Sequence, residues 1–553
     1  MPDHELLPVT TGPEQSREYD AIIVGAGLAG LYMLHRLRGL GLSARVLEEG
    51  SGIGGTWYWN RYPGARCDVP SVEYSYSFSE ELQQEWRWTE RYAPQAEILR
   101  YIEHVADRFD LRRDIQLGTR VTAARYDETT NRWRIETDQG EPQSARFCIM
   151  ATGCLSIPNV PNYPGLESFT GDIYQTGRWP HHEVDFTGQR VGVIGTGSSG
   201  IQSIPVIAEQ AARLVVFQRT PNYSVPANNF PIDAEYERQV KADYAGLRQR
   251  ARASRVGYLV SANPVSALAV SPEERQREYE RRWRRGGLGF SATYNDLLTS
   301  REANETAAAF FRKKIRAIVR DPAVADMLVA MDYPLGAKRI CVDSGYYETF
   351  NREHVTLVDL RRDPIVAITP RGVRTASTEY ALDSLVLATG FDAITGALLR
   401  IDIRGRAGLA LREAWADGPR AYLGLAIAGF PNLFTITGPG SPSVLSNVLV
   451  SIEQHVDWIA DCLAHMQIRG VETIEATPEA QEGWVVHVNE LANATLFPLA
   501  KSWYTGANVP GKPRVFMPYV GGVPTYRKRC DAIAANGYEG FCLSGSRTAS
   551  AVG

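Results

Sequence analysis

Apolar and polar positions alternate along the chain in a way that separates short buried strands from amphipathic helices. Residues 20–24, DAIIV, form a β-branched run that stops at Gly25, Gly27 and Gly30 of a G-A-G-L-A-G turn. The spacing then becomes helical (LYMLHRLRGLG), and a second short run, 44–48 ARVLE, closes on Glu48. Strand, glycine turn, helix, strand is the pattern of a βαβ unit. The same succession begins again at 190–195, RVGVIG, passes through Gly195-Thr196-Gly197-Ser198-Ser199-Gly200, and continues into a helix and the strand 213–217, RLVVF. Two further buried runs, 147–151 and 384–388, each end in Ala-Thr-Gly and bracket the second βαβ unit, so the first unit is expected to be discontinuous. Between 228 and 332 the pattern turns helical and charge-rich, notably in 234–256, 271–285 (SPEERQREYERRWRR) and 302–320.

The glycines carry chemistry. Gly25 permits the tight turn, Gly27 lets backbone N–H groups approach a pyrophosphate at a helix N-terminus, and Gly30 lets helix and strand pack closely. Glu48, about twenty residues further on, is placed to accept hydrogen bonds from both ribose hydroxyls of an adenosine. The second turn ends differently, in Gln218-Arg219-Thr220 with no acid. An arginine there suits a 2′-phosphate, although a surface arginine after an edge strand would look the same. An acid in the first unit and an arginine in the second predict FAD bound first and NADPH second. The expected fold is therefore α/β, with two Rossmann-like dinucleotide-binding domains: FAD-binding over 1–154 and 390–553, NADP-binding over 155–389 with a helical insertion at about 228–332. The arginines of that insertion read as a solvated face interleaved with glutamates.

Composition narrows the class. The 553 residues are 44% apolar and 22% charged, and 59 basic against 63 acidic residues give a net charge of −4. That excludes general disorder and gives no reason to expect nucleic acid or an anionic membrane as partner. The seven cysteines contain no C-x-x-C pair, which argues against a disulfide framework, a zinc ribbon and the dithiol centre of a disulfide reductase. The first twenty residues lack an apolar signal core, and the longest apolar runs, such as 422–430, are far short of the roughly 20 residues of a membrane helix. A cytoplasmic protein with no membrane partner is expected. The nine histidines show no ligand spacing, His181-His182 reads as a polar loop, and no metal is expected. Serine-nucleophile chemistry has no G-x-S-x-G elbow to stand on.

Two longer motifs identify a family resemblance. Residues 54–68 read GGTWYWNRYPGARCD, and 169–180 read FTGDIYQTGRWP. The first fits the pattern G-G-x-W-x4-[FY]-P-G-x3-D of the Baeyer–Villiger flavin monooxygenases. The second fits their fingerprint F-x-G-x3-H-x3-W-P at Phe169, Gly171, Trp179 and Pro180, with Gln175 where the histidine belongs. The resemblance runs from about residue 18 to 545 and is strongest to the phenylacetone and steroid monooxygenase group, also in 330–347 and 502–517.

The resemblance implies that NADPH reduces FAD, that O2 adds to give a flavin C4a-peroxide, and that this attacks a ketone to yield an ester or lactone. It implies Arg339 as the catalytic arginine, Lys338 beside it on the NADP phosphate, and Asp68 near both the arginine and the flavin. Thr56, Trp57, Tyr58, Trp59, Tyr74, Val121 and Val448 fall on FAD-lining positions. Arg66, Cys67, Thr196 to Gln202 (with Ile201 among them) and Thr220 fall on NADP-lining ones. Trp503 matches a loop tryptophan over the nicotinamide, and Gly506 and Gly511 favour a mobile loop. Ser443, Val444 and Leu445 would line an apolar ketone pocket that accepts aryl, cyclic or steroid-like ketones without choosing among them. The physical need for Arg339 is independent of the family: a deprotonated oxygen nucleophile and a developing oxyanion both call for a permanent, multi-donor cation. Taken without its neighbours, Arg339 reads first as a routine salt-bridged basic residue after a loop, and only the surrounding motif reverses that. An N- or S-oxygenating relative, an uncoupled NADPH oxidase and a non-catalytic redox sensor remain as alternatives. Oligomeric state is left open, a monomer being compatible with every feature.

Overall fold

The structure, a computed structural model, describes residues 18–545. Residues 1–17, most of the polar N-terminal stretch, lie outside the described residues. The first unit opens with β1 (Glu18–Val24), α1 (Leu28–Gly39) and β2 (Ala44–Leu47). α2 (Thr56–Trp59), α3 (Glu80–Glu85) and α4 (Gln95–Arg108) follow, then β3 (Ile115–Gln116), β4 (Val121–Asp127), β5 (Arg132–Thr137) and β6 (Gln143–Met150). β1 pairs in parallel with β2 and β6, with Ile23 opposite Val46 and Ile149. All three of these residues are fully buried, as continuous β-branched runs covered on both faces must be.

The chain leaves after β6 and builds a second parallel sheet from β7 (Asp172–Gln175), β8 (Arg190–Ile194) and β9 (Arg213–Gln218), with α5 (Ser198–Gln210) crossing between the last two. After β10 (Ser224–Pro226) come α6 (Ala234–Ala242), α7 (Tyr244–Ala253), α8 (Pro272–Arg285) and α9 (Arg301–Ile318). β11 (Cys341–Asp343) pairs with β10, and β12 (Val355–Asp359) joins the edge of the second sheet. A three-stranded antiparallel meander, β13 (Ile365–Thr369), β14 (Gly372–Thr375) and β15 (Glu379–Ala381), precedes β16 (Ser384–Leu387), which completes the order β12-β9-β8-β16-β7. The chain then rejoins the first sheet with β17 (Asp402–Arg404) beside β4 and β18 (Leu433–Thr435) beside β6. The expected α/β fold with two dinucleotide-type sheets is thus present.

The helical insertion divides in two. Val240, Tyr244 and Leu247 of α6 and α7 join the core of the first unit, and Arg248 donates to the Glu73 and Tyr76 carbonyls and to Ser75 Oγ. Tyr279, Trp283, Phe310 and Phe311 of α8 and α9 instead build a separate aromatic core with Tyr223 and Tyr333. The solvated-arginine reading holds for the exposed Arg284 and Arg285 but fails at Arg282. Its side chain is 4% exposed, paired with Glu278 one helical turn away. Among the described residues no helix is long and apolar enough to cross a membrane.

Candidate functional site

The two glycine turns are near-copies. Gly25 has φ +106° and Gly195 φ +110°, conformations that a side chain would strain. A Cβ on Gly25 would sit 2.6 Å from the carbonyl oxygen of Ala151, and one on Gly195 would strike that of Ala388. The two Ala-Thr-Gly segments are therefore what press each turn into shape, a function the sequence reading had not given them. Gly30 and Gly200 lie against the carbonyls of Gly25 and Gly195, so the helix can approach its strand only without a Cβ. At the N-terminus of α1 no side chain caps the free N–H groups, and the same holds for α5. Both termini present backbone donors to an anion. Gly27 also approaches the backbone of Gly55 closely enough that a Cβ on Gly55 would meet it at 3.0 Å, which places the start of the 54–68 motif on the first turn.

Beyond the turns the units diverge. Glu48 is 6% exposed, and its carboxylate accepts from the Ala26 N–H at 2.7 Å and the Gly50 N–H at 2.8 Å. Burial pushes this carboxyl up, and the two N–H bonds pull against that. Arg219 is exposed and Lys338 half-buried over the Tyr333 ring at 4.4 Å; among the described residues neither forms an ion pair. Burial lowers the Lys338 pKa, and Arg219 is near enough to lower it further. Asp332 pulls the Lys338 pKa back up without forming an ion pair, so the group stays net positive and suits an anion. Thr196 Oγ1 donates to the Thr220 carbonyl and Asn222 Nδ2 to that of Thr196, fixing the loop they stand on.

Between the units lies the Asp68–Arg339 pair. Arg339 Nε and Nη2 donate to the two Asp68 oxygens at 2.9 and 2.8 Å, and Nη1 donates to the Val444 carbonyl at 2.9 Å. This fork leaves one N–H on each Nη. Burial alone would lower the guanidinium's pKa, but the Asp68 carboxylate holds it above its ordinary value. Tyr504, absent from the sequence reading, stands beside it: burial pushes its hydroxyl up to about 12, with Arg339 pulling the other way. Ser443 has φ +32° and a buried hydroxyl with no partner among the described residues, so the 443–445 turn is strained where Arg339 grips it. Cys67 and Cys341 flank the pair as buried thiols, and burial pushes Cys341 up to about 11, so neither supplies a thiolate near neutral pH.

Several contacts join the units. Gln202 accepts from the Tyr62 hydroxyl at 2.8 Å and donates to the Arg66 carbonyl at 3.1 Å, over a Gly64 that has no room for a side chain. The Trp179 N–H donates to the Trp59 carbonyl, and Arg178 pairs with Glu49. Gln175 ends β7 and donates to the Asn159 carbonyl at 3.2 Å, the same oxygen that accepts from Thr389. Phe169 is buried, Gly171 abuts the Asp383 carbonyl, and Pro180 is half-buried.

Several expected site residues also make contacts that hold the fold. Arg66 pairs with Glu90 at 2.9 Å, Tyr58 fills the turn at Gly50 and Gly52, and Trp57 donates to Tyr74 within the core. Ile201 is sealed in the second core, so only its backbone can face a ligand. Thr56 and Val448 keep exposure, Val121 is buried, and Ser198 and Ser199 bond to Cys341 and Thr176. Trp503 is half-buried among Val444, Leu445 and Tyr504. Its loop is pinned by Lys512 on Asp392 and Asn508 on the Phe391 carbonyl. Among the described residues no group of three or more His, Cys, Asp or Glu could hold a metal ion.

Known proteins fit this geometry. Residues 22–243 match the family described as pyridine nucleotide-disulphide oxidoreductase, although every cysteine here is free. A Baeyer-Villiger monooxygenase of Pseudooceanicola batsensis is 44% identical over 94% of this chain and 95% of its own. The cyclohexanone 1,2-monooxygenase of an Acinetobacter species is 41% identical over 97% and 98%. The solved structure of an oxidized steroid monooxygenase bound to NADP superposes with a TM-score of 0.92 at 56% identity, covering 95% of this chain and 99% of that one. Free helix N-termini, a buried ribose acid in one unit and unpaired cations in the other fit FAD and NADP(H), and the chain belongs to the Baeyer–Villiger monooxygenases, flavoproteins that use both.

Proposed function

We propose that the chain inserts one oxygen atom beside the carbonyl of an aryl, cyclic or steroid-like ketone, with Arg339 as the catalytic cation and Asp68 as its positioning partner. The observation that carries this reading is the three-point hold on Arg339, which aims a permanently charged group while leaving two N–H donors free. The α1 turn would hold FAD and the α5 turn NADPH, which when bound would supply reducing equivalents and, with O2, the activated oxygen. The protein's part is to bind both, to favour a deprotonated oxygen nucleophile near Arg339, and to stabilise the negative charge that moves onto the ketone oxygen. Asp68 fixes the plane of the guanidinium and offsets part of its charge, so that the transient oxyanion is stabilised without the site being left with an uncompensated buried cation. Val444, Leu445 and Trp503 give the apolar wall on which a ketone body rests.

The test is NADPH consumption with phenylacetone, cyclohexanone and progesterone, read beside product mass and hydrogen peroxide. An ester or lactone one oxygen heavier, formed in step with NADPH, is expected. Arg339→Ala should keep flavin reduction and lose oxygenated product by about 10²–10³-fold, the range for removing a transition-state donor. Peroxide release matching NADPH loss for every ketone would overturn the reading.

A further inference from the structure

Asp68 and Arg339 stand 271 positions apart and come from different units, yet their fork closes at 2.8 and 2.9 Å. Such a fork demands that both segments be held at a fixed spacing, because its two bonds lie in one plane. One face of α5 touches both segments. Ser198 and Gln202 are four residues apart in that helix and so share a face. Ser198 Oγ lies 3.4 Å from the Sγ of Cys341, two residues beyond Arg339. Gln202 reaches the loop that ends at Asp68. Its Oε1 accepts from the Tyr62 hydroxyl at 2.8 Å, and its Nε2 donates to the Arg66 carbonyl at 3.1 Å.

The loop lies flat along the helix. A Cβ on Gly64 would strike the Gln202 carbonyl and stand 3.1 Å from Val206 Cγ2, one turn further on. The Tyr62 ring, although carried by the first unit, packs against the core of the second. Burial, helped by the nearby Asp68 carboxylate, holds the Tyr62 hydroxyl above the ordinary tyrosine range, so it stays a donor. The loop also has anchors of its own on the first unit. The Cys67 N–H donates to the Ala93 carbonyl at 3.1 Å, and the Gln95 N–H to the Ala65 carbonyl at 2.9 Å. The bonds to Gln202 are therefore not what shapes the loop; they set where the second unit stands against it.

We propose that the Tyr62 hydroxyl and the Gln202 amide are positioning residues for the Asp68–Arg339 pair. They seat the Asp68 loop on the same face of α5 that meets the Arg339 strand, behind the helix N-terminus that receives the nicotinamide nucleotide. This rests on the ketone-oxygenating reading given above and adds what keeps its two central residues aligned.

The flavin-loaded enzyme is assayed with phenylacetone, reading oxygenated product against NADPH consumed. Tyr62→Phe, which removes a hydroxyl and keeps the ring, should lower that ratio by about three- to tenfold while KM for NADPH moves by less than about twofold. Gln202→Leu removes both bonds and should lower the ratio further. In an Asp68→Ala background Tyr62→Phe should have no further effect, because the contact acts through Asp68. A second readout needs no turnover. With NADP+ bound, backbone hydrogen exchange over 62–69 should quicken by at least about fivefold in Tyr62→Phe, whereas 90–95, which anchors the same loop, should keep its rate.

A product ratio that neither variant lowers, or a loss that persists in full without Asp68, overturns the proposal even if phenylacetone is oxygenated. Loss of flavin from Tyr62→Phe, or quickened exchange that spreads to 90–95, makes the contact part of the fold and overturns it as well. If the wild type oxygenates no ketone, the parent reading fails, and the exchange rates over 62–69 still decide whether the hydroxyl seats the loop.

Discussion

The two glycine turns share a backbone and differ in charge. At Gly25 and Gly195 the φ angles agree within a few degrees, each turn is pressed by an alanine carbonyl from an Ala-Thr-Gly segment, and each helix begins without a cap. The difference begins at the end of the following strand, where the first unit has a buried glutamate held by two N–H groups and the second an exposed arginine with no ion-pair partner among the described residues. The lesson is that binding a pyrophosphate is a matter of backbone, whereas choosing the nucleotide is a matter of one side chain placed on the ribose. Burial differs in the same sense. The acid sits inside the first core as a fixed acceptor, while of the second unit's cations Arg219 is exposed and Lys338 half-buried.

The comparison breaks most severely at the glycines. Gly30→Ala drives a methyl into the Gly25 carbonyl and should give protein without bound flavin, read as the loss of visible absorbance per chain. Gly200→Ala makes the same clash in the second unit, and it should leave the protein yellow while raising KM for NADPH by 100-fold or more, about 3 kcal/mol. If Gly200→Ala instead loses flavin, the units are not independent.

A smaller effect is expected at Arg219. Arg219→Ala should reduce the kcat/KM preference for NADPH over NADH by about 10–100-fold, the worth of one charge-assisted phosphate contact. Lys338 sharpens this through pH. Because burial lowers its pKa, it loses its proton at a lower pH than a free lysine and with it the attraction for the phosphate. KM for NADPH should therefore rise severalfold as pH increases through the alkaline range, KM for NADH should not, and Lys338→Arg should flatten the dependence.

The smallest effect concerns the link between the units. Gln175 holds the Asn159 carbonyl from the end of β7 with a neutral amide. Gln175→His places a group there that can carry a proton. The fraction of NADPH lost as peroxide should change by a factor of about two, with flavin content constant. An unaltered fraction would mean that the 175 position is a spacer only.

Local reading carried far in some places and failed in others for a physical reason. Strands β1, β2, β8 and β9 and helices α8 and α9 follow their sequence pattern closely, because their apolar positions face one core and repeat with the element's own period. The segment 228–332 could be read as helical, but not as two bodies. Which core α6 and α7 join is set by the Arg248 bonds to 73–76, and that contact spans a large sequence distance. Tyr504 escaped notice for a similar cause: an aromatic beside Trp503 carries no sign that it stands against a guanidinium.

The sequence by itself determined the two turns, their opposite charges, the absence of a paired-cysteine centre and the residue types of Asp68 and Arg339, because these depend on neighbours along the chain. Only the tertiary structure decided that Ala151 and Ala388 shape the turns. It also decided that Arg66 is bound to Glu90 and that Arg339 is aimed by Asp68 and Val444 together. Backbone conformation is governed by local sterics that a motif records, whereas an ion pair depends on which distant carboxylate the folded chain brings within reach.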